Sequence, residues 1–158
     1  MRLAPLLLLG GAFAVPATAG TVSVTIPRLQ VAEYHRPYVA VWLEPADGGE
    51  LRHVAVWYDI KKGGNEPGTK WLSDLRSWWR KGGRSLAMPA DGISGATRAP
   101  GTHSIALPRD LAPGRYVLNV EAARETGGRE VLSLPIAIPG AAATISGKTE
   151  LGTITFQP

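Results

Sequence analysis

The sequence predicts an all-β, immunoglobulin-like sandwich carrying one short tryptophan-rich helical insertion. Three observations lead there: short runs in which apolar residues recur at every second position, glycine- and proline-rich turns between them, and one stretch in which the apolar period becomes helical. The 158 residues include 19 Gly and 13 Pro but no Cys. A core held by burial alone is therefore expected, without disulfides, a cysteine-ligated metal or a thiol nucleophile.

The first nineteen positions read as an address. Arg2 precedes the apolar run Leu3 to Val15, and Pro16-Ala-Thr-Ala-Gly20 follows with small residues at the −3 and −1 positions. This is the pattern of a secretory signal peptide cut after Ala19. The run is too short to span a bilayer, so residues 20–158 are expected to form one exported domain with no membrane span. The formal net charge of +4 falls by one when Arg2 is removed. Such a mild surplus in an exported chain gives no ground for a nucleic-acid partner.

In order along the mature chain, Val22, Val24 and Ile26 alternate with Ser23 and Thr25, the first strand. Tyr38 to Leu43 alternates in the same way but is apolar on both faces, and so is His53 to Tyr58. These two strands are expected to lie centrally, one face on the core and the other covered. The hairpin signal Ala46-Asp-Gly-Gly49 stands between them. The turn Ala112-Pro-Gly114 leads into Tyr116 to Glu121, and Thr126-Gly-Gly128 returns the chain into Val131 to Ile138, where Pro135 points to an edge strand. Gly152 to Phe156 is the last strand.

Between Lys70 and Arg80 the pattern changes. Trp71, Leu72, Leu75, Trp78 and Trp79 form a helical stripe, with Thr69 as candidate N-cap and Gly82-Gly83 as stop. The stripe can plug the covered face of the sandwich or wall a site for a planar ligand. Lys61, Lys62, Lys70, Arg76, Arg80, Lys81, Arg84 and Arg98 outnumber Glu66, Asp74 and Asp91 around it. An anionic ligand is more at home here than elsewhere on the chain.

The segment Met88 to Gly101 is small, hydroxyl-rich and, by composition, a surface loop. Within it Asp91-Gly92-Ile93-Ser94-Gly95-Ala96-Thr97 resembles the flavinylation motif Asp-x-x-Ser/Thr-Gly-Ala-Thr/Ser. In proteins with that motif, such as the FMN-carrying subunits of sodium-pumping NADH:quinone oxidoreductases, a flavin transferase uses FAD to attach FMN to the last hydroxyl residue through a phosphoester. The resemblance implies covalent FMN on Thr97, with Asp91, Ser94, Gly95 and Ala96 as recognition or loop-shaping residues. The transferase supplies Mg²⁺ and base, so this chain needs none. Trp57, Tyr58, Trp71, Trp78, Trp79 and His103 are candidates for the ring's berth.

A wider resemblance covers most of the mature chain. Arg36 to Trp42, His53 to Trp57, Lys70 to Arg80, Asp91 to Gly101 and Pro113-Gly-Arg-Tyr116 are similar to the blocks of a predicted periplasmic family of unknown function, number twenty-two seventy-one. Families of this kind are associated with flavin transferases and with membrane flavin or haem reductases. The resemblance implies a periplasmic electron carrier, more a relay than a stand-alone enzyme. The competing reading is a non-redox immunoglobulin-like binding module using its tryptophan-rich face. Hydrolytic or metal chemistry has little support: His35, His53 and His103 show no HxH or HExxH spacing, and Ser94 stands outside a Gly-x-Ser-x-Gly elbow.

Overall fold

A computed structural model of the chain describes residues 19–60 and 67–158. The signal segment up to residue 18, together with Lys61, Lys62 and Glu66 of the basic region, lies outside the described residues. Among the described residues nine strands form two sheets, β1 (Thr21–Ile26), β2 (Tyr38–Pro45), β3 (Arg52–Tyr58), β4 (Ser94–Ala96), β5 (Gly101–Ala106), β6 (Gly114–Ala123), β7 (Arg129–Ile138), β8 (Ala143–Ser146) and β9 (Thr153–Gln157). The four-stranded sheet runs β5-β1-β9-β8 and the five-stranded sheet β4-β3-β2-β6-β7. This is the expected all-β sandwich, and the helices among the described residues lie between β3 and β4.

The alternation of β1 places Val22, Val24 and Ile26 inward, where they meet Val39, Val41, Leu43, Leu118, Val120 and Phe156 in the core between the sheets. The doubly apolar strands are central, as their composition requires. The second faces of β2 and β3 carry Ala40, Trp42, Val56 and Tyr58, which pack under Leu72, Leu75 and Trp78 of the helical insertion. A register shift between Val41 and Trp42 lets β2 and β3 keep both faces filled. β7 is an edge strand, and its Pro135 pairs opposite Val117. At the start of β6 the Tyr116 hydroxyl donates back to the Ala112 carbonyl, the tyrosine-corner arrangement that immunoglobulin-like sandwiches share.

The insertion differs from a single helix. A 3₁₀ helix, Gly68–Asp74, breaks at Leu75 (φ −76°, ψ 71°), and an α-helix, α1 (Arg76–Lys81), follows. Thr69 makes no cap. The amides of Ser77 and Trp78 in the first turn of α1 donate instead to the carboxylate of Glu121, at 3.1 and 2.8 Å. Glu121 projects from β6, is 0% exposed, and also accepts Arg129 Nη1 at 2.8 Å. The break rotates the stripe: Trp78 is buried against His53, whereas Trp71 stands 43% exposed. The Gly82-Gly83 stop holds: Gly82 caps α1 at φ +150°, and a Cβ on Gly83 would strike the Trp78 indole at 2.5 Å.

Candidate functional site

The segment expected as a surface loop is partly built into the sheet. The Ser94 and Ile93 amides donate to the Ala90 carbonyl at 2.9 and 3.2 Å, and the Ser94 hydroxyl accepts the Ala90 amide at 2.9 Å. Gly92, at φ +71°, turns the chain between them. The turn delivers Ser94–Ala96 parallel to β3, opposite Val56, Trp57 and Tyr58. Gly95 therefore lies flat over the Trp57 indole, where a Cβ would sit 3.3 Å from Cδ1. After β4 the chain leaves the five-stranded sheet through Thr97 to Pro100 and enters β5 of the other sheet. Arg98 folds over the Trp57 ring at 5.2 Å, and His103 meets that ring edge-on at 5.8 Å while its Nε2–H donates to the Ala99 carbonyl.

Thr97 is half-buried and lines a cleft of about 500 Å³. Tyr34, Tyr38, Trp71 and Arg124 share its walls. Tyr38 is pinned by donating to the Gly68 carbonyl at 3.0 Å, and burial is the main cause that pushes its hydroxyl pKa up to about 12. A side chain on Gly68 would collide with the Asp59 carbonyl and the Tyr38 hydroxyl, so this wall is closed at the backbone. Trp71 supplies an accessible aromatic surface, with Lys70 Nζ 5.0 Å above its ring.

Arg124, whose side chain is 7% exposed, also lines the cleft. Its Nε and Nη2 donate to the two oxygens of Glu150, at 2.8 and 3.1 Å; that carboxylate is 5% exposed and also accepts the Gly128 amide. The fork-to-fork pair raises the Arg124 pKa further above its ordinary value. Beside it the Tyr34 hydroxyl is buried and has no hydrogen-bond partner among the described residues. Burial raises its pKa against the opposing charges of Arg124 and Arg36, so the phenol is neutral and a donor. A buried hydroxyl without a partner costs about 1–3 kcal/mol.

The motif divides between two sides of the crossing segment. Thr97 faces the cleft, while Ser94 and Gly95 line a more open groove of about 650 Å³ with Trp57, Arg98 and His103; Asp91 and Ala96 are exposed. Of the six aromatic candidates, Trp71 shares the cleft with Thr97. Tyr58 is buried beneath the insertion with Trp78 of α1, and Trp79 packs half-buried against the same cluster. Tyr34, Tyr38 and Arg124 escaped sequence reasoning. The alternation of Tyr34, Arg36 and Tyr38 at i, i+2 and i+4 was the available signal, because an extended chain puts all three on one side.

The histidines are dispersed, with His35 at the cleft, His53 under Trp78 and His103 at the groove. Among the described residues no three His, Asp or Glu side chains converge as a metal site. No helix among them is long and apolar enough to cross a membrane.

Fold and site together define a two-sheet β-sandwich with one helix-covered face and an aromatic cleft beside its sheet-to-sheet crossing. The chain belongs to the family described as predicted periplasmic protein (DUF2271), whose model matches residues 19–153. The protein is accordingly periplasmic, in agreement with the signal-peptide pattern of its first nineteen residues. No curated protein and no solved structure matches the chain.

Proposed function

We propose that this chain is a covalent flavoprotein of the periplasm, with FMN joined to Thr97, that relays electrons from a membrane flavin or haem reductase to a periplasmic acceptor. The observation that carries the reading is the position of Thr97, the terminal hydroxyl of the Ser-Gly-Ala-Thr string, on the wall of a cleft that also presents the exposed face of Trp71. The residues present fit the group. About 500 Å³ lies within the 300–1,000 Å³ of ordinary cofactor sites, and the cleft wall includes a buried tyrosine hydroxyl with no partner in the protein.

In the attachment step Thr97 Oγ1 bonds to the flavin-side phosphorus of FAD. The pyrophosphate P–O bond breaks, AMP departs with the bridging oxygen, and the hydroxyl proton passes to the transferase's base. Gly95 and Ala96 keep the approach to Thr97 free of bulk, Ala96 being exposed, and the Ser94–Ala90 turn holds the segment in place for recognition at Asp91. Bound FMN supplies one- and two-electron chemistry. Trp71 offers a face for stacking, and the closed wall at Gly68 and Tyr38 limits water on that side. A covalent tether suits a periplasmic carrier, which would otherwise lose its cofactor by diffusion.

Intact mass of the exported protein, with and without a co-expressed flavin transferase, tests the proposal. An increment equal to FMN minus water that needs the transferase and disappears in Thr97→Ala is the expected result. An active transferase that adds nothing to the parent chain rejects it.

A further inference from the structure

The cleft holds more than the hydroxyl that would carry the tether. Arg124 is a charged side chain more than nine-tenths buried, yet it lines the cleft. Glu150 occupies its Nε and Nη2 from behind, and Gly127 lies flat against the guanidinium, since a Cβ there would strike Nη1 at 2.7 Å and Nη2 at 2.5 Å. Among the described residues Nη1 has no hydrogen-bond partner, and neither does the neighbouring Tyr34 hydroxyl. Two donors thus stand unanswered among residues of the cleft wall, which also includes Trp71. Donors of this kind are complementary to an acceptor-rich edge, and a guanidinium locked by a carboxylate on one side is oriented before anything binds.

We infer that Arg124 and Tyr34 form a recognition site for the carbonyl-bearing edge of a planar heteroaromatic ring stacked on Trp71, a site that works without the covalent bond to Thr97. The inference rests on the flavin reading and deepens it: the ring is an isoalloxazine, and its pyrimidine-dione edge, not its phosphate, meets Arg124. Arg124 and Tyr34 are positioning residues that fix which end of the ring system lies inward.

The full chain with Thr97→Ala, produced without a transferase, is titrated with riboflavin, and quenching of tryptophan and flavin fluorescence is read. Riboflavin carries the ring and lacks phosphate, so the two sources of acceptor oxygens are separated. Expected are saturable quenching, no displacement by millimolar inorganic phosphate, and an affinity loss of about tenfold in Arg124→Lys, which keeps the charge but not the fork. Tyr34→Phe is expected to weaken riboflavin about threefold while its thermal midpoint holds or rises, since it removes a hydroxyl that has no partner in the protein. If Arg124→Lys fails to fold beside buried Glu150, Tyr34→Phe decides alone. Absence of riboflavin binding, displacement by phosphate, or parent-like affinity in the folded variants overturns the inference. A chain that gains FMN mass yet behaves so keeps its tether and loses this site; one that binds riboflavin but never gains mass does the reverse.

Discussion

Thr97 and its neighbours show what a short motif discloses and what it conceals. The string Asp91 to Thr97 is legible without any structure, because its residue types and spacing are unusual. The partners of Thr97 are not, since Tyr34 and Arg124 reach the cleft from segments far away in sequence. Glycines separate demands of the fold from demands of recognition. Gly83→Ala sets a methyl 2.5 Å from the Trp78 indole, which is buried and cannot retreat; a loss of about 3 kcal/mol in urea denaturation is expected. Gly95→Ala meets Trp57 at 3.3 Å and the mobile end of Arg98 at 3.5 Å. Its cost is about 1 kcal/mol or less, so a variant that stays folded but takes no FMN would locate the need for glycine in the transferase.

Among the elements, β1, β2, β3, β6, β7 and β9 were readable because each alternates with large apolar residues. β5 and β8 were not: both are edge strands of the same sheet, each with a single isoleucine, Ile105 or Ile145, among small or polar side chains and one face open to solvent. β4 is three residues long and has no period to detect. The helical stripe predicted from Lys70 begins six residues before α1, because the acceptor that starts α1 comes from β6, 43 residues from Trp78. Glu121→Ala removes that acceptor and leaves Arg129 without its partner. A destabilisation of about 3 kcal/mol is expected, and about half of that in Glu121→Gln, which keeps an acceptor. Hydrogen exchange should show the amides of α1 losing protection first. If α1 keeps its protection in Glu121→Ala, the cap is not what starts the helix.

For the whole molecule, acid should act in two stages. His53 accepts the Trp78 Nε1–H on Nδ1 at 2.9 Å, and burial lowers its pKa below the ordinary 6.5. Between the folded value and 6.5 the unfolded chain binds the proton more readily, so stability falls as pH drops through that window. Glu130 acts in the same sense at lower pH, though burial opposes its shift. Burial pushes its pKa up, but the amides of Lys148, Leu151 and Thr149 outweigh this and leave it below the ordinary 4.5. Its contribution is full above 4.5 and is lost as pH falls through the folded value. Urea midpoints measured against pH should show both stages, and His53→Gln should flatten the upper one alone. A single stage in the parent, confined below pH 4.5, would show that the His53–Trp78 contact does not govern acid stability.

The pairing of β1 with both β5 and β9 also has a kinetic side. Val22 lies opposite Ile105 on one flank and Phe156 on the other, so both neighbours of the first strand are distant from it in sequence. Contacts so distant in sequence make folding slow, because the loop entropy is lost before the pairing returns it. The four-stranded sheet therefore closes only when β9 reaches β1, a late step that a local hairpin such as β2–β3 does not wait for.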